Sequence, residues 1–150
     1  MLPRGYSIEA QVAVANGTKT NSVVSSTTAI RPEIVQATLG TTGTPADNAL
    51  AWDLQRFTAA GTTTAYTPQA LDPGDPAATM VAGVNATVEP TYTANKIMLH
   101  LGLNQRASLI WNAQPGYAIK MPATASNGIG VLPTHASYTG NADVTLIVGE

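Results

Sequence analysis

The chain has 150 residues, enough to bury one core without help from disulfides or metals. Only 11% of residues are charged, against roughly 25% in a typical soluble domain, the net charge is −2, and there is no cysteine. These values exclude disulfide frameworks, thiolate metal sites and cysteine nucleophiles, and the seven Lys and Arg, scattered from Arg4 to Lys120, form no basic run for capturing nucleic acid. A surface dressed mainly with Thr, Ser, Asn, Gln and Ala matches the charge-poor centres of protein interfaces and points to assembly. The opening MLPRGYSIEA lacks an apolar core of signal-peptide length, and no stretch approaches the ~20 apolar residues of a membrane helix. Neither secretion by that route nor membrane insertion is therefore expected.

Alternation with period two starts at once. In Tyr6–Val14 the even positions are apolar while Glu9 and Gln11 point the other way, and Asn16-Gly17 closes the run with a turn dipeptide. Further strands are expected over Thr20–Ile30, Glu33–Leu39 and Leu50–Thr58. The segment Ala59–Val84 reads as a long loop rich in Thr, Pro and Asp, with one short helix allowed at Pro76–Val84, where Asp75 could cap a first turn opened by Pro76. Strands resume over Thr87–Thr93 and Lys96–Asn112. In the latter, Ile97, Leu99, Leu101, Leu103, Ala107, Leu109 and Trp111 share one parity, with Gln105 its one polar member. The run is either one bent strand or two joined near Gly102-Leu103-Asn104, and both readings bury Trp111. Tyr117–Met121, Ile129–Leu132 and Ala142–Val148 complete the set.

About one residue in seven is Thr, and β-branched residues favour pleated surfaces over helices. Eight or more short strands with turn signals between them predict an all-β fold, a single two-sheet sandwich of jelly-roll type with little helix. The amino-terminal segment, about residues 1–30, is expected to serve as an arm or interface strand.

Catalysis needs positioned acids, bases or nucleophiles, and few are offered. His100 lies on the non-core parity of its strand and His135 follows Pro133-Thr134, so both read as surface or interface residues. Ser108 and Ser137 lack a nucleophile-elbow context. Asp72 and Asp75 flank Pro73-Gly74 as turn residues do, without the run of oxygen donors a calcium loop needs. Glu9, Glu33, Asp53 and Glu89 are too dispersed to define a glycosidase pair. The sequons at Asn16 and Asn85 are matches expected by chance in a Thr-rich chain. Tyr6, Trp52, Phe57 and Trp111 fall in strand patterns and read as core or interface anchors. No catalytic, cofactor-binding or metal-ligating residue is assigned, no cofactor is implied, and the chain is not expected to be an enzyme.

Three segments carry a resemblance: Val88-Glu89-Pro90-Thr91-Tyr92-Thr93-Ala94, Leu103-Asn104-Gln105-Arg106-Ala107 with Trp111, and Pro122-Ala123-Thr124-Ala125-Ser126-Asn127-Gly128-Ile129-Gly130. On these, the part of the chain from about Leu71 to Glu150 resembles the decoration, cement or head-stabilising proteins of tailed bacteriophages. The resemblance implies a virion structural protein made in the host cytoplasm. It would sit on the outer capsid surface, bind the major capsid protein, bridge its subunits and assemble as a homotrimer, with no nucleic-acid or membrane partner. Two other readings share the same chemistry. One is a tail, fibre or head-to-tail connector protein, and the other is a carbohydrate-binding sandwich, which exposed Trp or Tyr on a sheet face would favour.

Overall fold

A computed structural model describes residues 4–13, 17–135 and 140–150. Val14, Asn16 and Ser137 of the sequence reading lie outside the described residues, as does the side chain of His135. The strands are β1 (Gly5–Ala13), β2 (Gly17–Thr18), β3 (Ser22–Ser25), β4 (Glu33–Thr42), β5 (Ala49–Ala59), β6 (Thr62–Tyr66) and β7 (Gln69–Ala70). They continue with β8 (Val81–Val88), β9 (Thr91–Asn104), β10 (Leu109–Asn112), β11 (Ile119–Lys120), β12 (Gly128–His135) and β13 (Asn141–Gly149). All pairings are antiparallel. No helix occurs among the described residues.

The strands form two sheets, and the protein is an all-β two-sheet sandwich. The first sheet runs β10-β4-β13-β1-β7, with β11 also on β4, and the second runs β6-β8-β3-β12-β5-β9, with β2 also on β12. The order follows from one long hairpin rolled up. Residues 5–25 pair with 128–149 through β1·β13 and β3·β12, and residues 33–66 pair with 82–120 through β4·β10, β4·β11, β5·β9 and β6·β8. Rolling then sets β13 beside β4 and β12 beside β5, which is jelly-roll connectivity extended by the β6–β8 ribbon.

Alternation sets what faces inward. Tyr6, Ile8, Ala10 and Val12 of β1 and Ala142, Val144, Leu146 and Val148 of β13 are buried, while Glu9 and Gln11 are exposed. They meet Ile34, Ala37 and Leu39 of β4, and from the opposite sheet Val24, Leu50, Trp52, Leu54, Ile129 and Val131. Burying each of these large side chains contributes about 1.5–3 kcal/mol, which is why a 150-residue chain needs no cross-link.

Within the amino-terminal segment, β1 lies between β13 and β7, and β3 between β12 and β8. Several expectations are corrected. The span 59–84 is not one loop, because β6 forms an edge strand and the start of β8 lies inside the second sheet. Thr-rich Thr62–Tyr66 can pair because Gly61, at φ 71°, turns the chain out of β5. No helix forms at Pro76–Val84. Instead residues 71–80 cross from one sheet to the other, held by the Tyr6 hydroxyl donating to the Pro76 carbonyl at 3.0 Å and by Thr79 N donating to Glu150 Oε1 at 2.7 Å. The expected strand Thr87–Thr93 is divided between β8 and β9 at Glu89-Pro90.

Lys96–Asn112 is two strands, and they belong to different sheets. Fully buried Gln105 makes the corner between them, its N–H on the Asn48 carbonyl at 2.8 Å and its own carbonyl accepting from Thr41 Oγ1. Because β9 and β10 are edge strands, Leu99, Leu101, Leu103 and Trp111 are only partly buried against the core. The fully buried indole is that of Trp52.

Candidate functional site

Where the β5/β9 ribbon continues into β6/β8 it passes from one edge of the second sheet to the other, outside β12 and β3. Phe57, Val23 and Ala86 are buried there although they lie outside the main core cluster. The rings of Tyr92 and Phe57 meet edge to face, with centroids 6.5 Å apart and planes at 79°. Tyr92 Oη lies 2.7 Å from Thr20 Oγ1, and Thr20 N donates to both oxygens of the Glu89 carboxylate at 3.1 Å. Burial pushes the Tyr92 phenol far above its ordinary range, the nearby Glu89 and Asp53 charges push the same way, and the Thr20 bond opposes them. This polar knot clamps the ribbon.

The other sequence candidates are separated. His100 and Asp53 are cross-strand neighbours on β9 and β5, and their side chains bond through Nδ1 and Oδ1. The imidazole is exposed, and no serine hydroxyl or second carboxylate joins the pair among the described residues. Ser108 lies beside Gly40 at the corner before β10. Asp72 Oδ1 accepts from Gly74 N at 2.8 Å, and Asp75 N donates to the Asp72 carbonyl, so this pair closes a turn. Among the described residues no three His, Asp or Glu side chains are grouped to hold a metal ion. Asn85 sits inside β8 at φ 53° with its side-chain oxygen buried, a poor acceptor for a glycan.

What the fold does present is an open flank. β9, 14 residues long, is one edge of the second sheet, and β10, reached through residues 105–108, is an edge of the first. Large apolar side chains face water there: Ile97 and Met98 on β9 and Ile110, 58% exposed, on β10. Next to them Gln114-Pro115-Gly116-Tyr117 makes a turn with Gly116 at φ 82° and a Tyr117 N to Gln114 carbonyl bond of 2.9 Å. Its Tyr117 side chain is 77% exposed. The turn walls a cleft of about 220 Å³ with Glu33, Val35 and Lys120. Tyr117 stands on a turn rather than on a sheet face, and Trp52 is buried.

Comparisons of the chain with protein families, curated proteins and solved structures found no match.

Proposed function

We propose that the chain is a non-enzymatic virion structural protein that binds the outer surface of a capsid and reinforces the head by bridging capsid subunits. The observation that carries this reading is the β9/β10 flank. A long edge strand carries unpaired backbone groups that can pair with another chain, and proteins that stay dispersed blunt such edges with charge, proline or a covering element. Here β9 instead shows Ile97 and Met98 in mid-strand, and β10, an edge of the other sheet, shows Ile110. Such an edge suits recognition by strand addition, with main-chain bonds supplying affinity and apolar side chains supplying specificity.

The weakly charged exterior supports the same reading, since little charge must be stripped of water when it is covered. The capsid as the surface, the major capsid protein as the partner and three as the number of copies come from the resemblance of the segments between Leu71 and Glu150. Contacts of this kind must be broken before the shell can open, so the protein raises the stress needed to rupture a head while leaving assembly itself unchanged. The test is to compare the rupture temperature of heads carrying and lacking the protein, then add purified protein to the bare heads. Restored resistance is expected. Equal rupture of all three samples would refute the reading.

A further inference from the structure

The charges are few, but the fold gathers them. Arg31 Nε donates to the Met121 carbonyl at 3.2 Å, Arg56 Nη1 donates to the adjacent Lys120 carbonyl at 2.9 Å, and Lys120 Nζ is 3.4 Å from Glu33. Three of the chain's seven cations thus meet at β11 with one anion among them. Neither Arg31 nor Arg56 has a carboxylate partner among the described residues, and the exposed Tyr117 adjoins this corner.

An opposite corner lies at the same end of the sandwich. The register places Lys120, Glu33, Gly149 and Gly5 in one row across β11, β4, β13 and β1, and Leu71 N bonds the Gly5 carbonyl just past β7. Beyond Leu71, itself 56% exposed, come Asp72 and Asp75, with neither carboxylate in an ion pair among the described residues. The Glu150 carboxylate is close by, tied to Thr79 and Met80, and Arg4 is the cation of this corner. Four strand spacings, about 19 Å, separate the two corners.

We infer that copies of this chain associate head to tail, the Arg31/Arg56/Lys120 corner of one copy against the Asp72/Asp75 corner of the next. Both corners lie at the same end of the strands and on opposite edges of one sheet. Successive copies joined in this way can all keep that end facing one side, and the contact closes into a ring if the rotation between copies allows. A two-fold contact would set like corners together. Each corner also brings one exposed apolar anchor, Tyr117 or Leu71, to the junction.

This deepens the reading of the chain as an assembling shell protein, and it is tested on purified full-length protein so that the two can fail separately. Sedimentation over a range of concentrations should show self-association that weakens as salt screens the corners. Arg31→Glu with Lys120→Glu should weaken it by about tenfold or more, as should Asp72→Lys with Asp75→Lys, because each sets like charges together. The quadruple variant, with both corners reversed, should recover association while all variants keep the native melting transition within a few degrees. A wild-type chain that is monomeric throughout overturns the inference even if it binds heads. So does a quadruple variant no better than the doubles. Association with full rescue but no binding to heads would leave the contact standing and remove the capsid role.

Discussion

Replacing Gly130 by alanine should strike the clamp that holds the β5/β9 ribbon across the second sheet. A Cβ built on Gly130 would lie 3.0 Å from Tyr92 Cζ and 3.1 Å from Cε1, and closer still to the phenolic oxygen. The backbone of β12 is fixed on both sides by β3 and β5, so Tyr92 must give way. Overpacking of this kind costs about 1–3 kcal/mol, and displacing the ring also costs its bond to Thr20, worth about 1 kcal/mol. Glycine-to-alanine changes otherwise gain about 0.4–1 kcal/mol by restricting the unfolded chain, so a net loss of about 2–3 kcal/mol is expected. For a chain of this length that lowers the melting temperature by about 4–12 °C. Tyr92→Phe alone should cost about 1 kcal/mol. Combined with Gly130→Ala it should cost less than the sum, since the atom nearest the new methyl has been removed. Chemical denaturation of the four proteins gives the cycle. A Gly130→Ala variant as stable as the wild type, or strictly additive losses, would refute the crossing of the ribbon over β12.

Trp52→Ala should cost about 3–5 kcal/mol in denaturant unfolding, and Trp111→Ala clearly less, because the second indole is only partly buried at an edge. Tyr6→Phe removes the bond to Pro76 and should cost about 1 kcal/mol, with faster proteolytic cutting within residues 71–80 as the local readout. The Tyr92 phenol gives a pH dependence with a definite sign. Its folded value is raised, so above the ordinary value of 10.0 the unfolded chain loses its proton first and stability falls as pH rises. Melting curves between neutral and alkaline pH should show a decline that Tyr92→Phe reduces. Met98→Lys with Ile110→Lys should leave the melting temperature within a few degrees while abolishing binding to heads, since both side chains face water in the free protein.

The sandwich is legible in the sequence because burial on one face of a strand writes period two directly, as in Tyr6-Ile8-Ala10-Val12 and Ala142-Val144-Leu146-Val148. Gln105 interrupts its apolar parity where the chain changes sheets, and there it satisfies backbone groups that the corner strips of partners. The ribbon crossing is not legible. Gly128 and Gly130 resemble ordinary loop-flanking glycines until the register sets Phe57 and Tyr92 over them. Thr62–Tyr66 alternates too weakly to stand apart from a polar loop, and pairing with β8 alone makes it a strand. Trp111 has core parity, yet parity identifies a face and says nothing of whether the strand lies at a sheet edge. The charged corners are hidden for a related reason, since Arg31, Arg56 and Lys120 are far apart in sequence and meet only through antiparallel pairing.

The most direct test of the central claim is an electron-microscopy map of heads of the kind the proposed role implies, first without the protein and then incubated with the purified wild-type chain. The account predicts regular density over the outer capsid surface, seated between neighbouring capsid subunits and absent when the Met98→Lys, Ile110→Lys protein is used. Density confined to a vertex or the tail, or a bare shell, would contradict it.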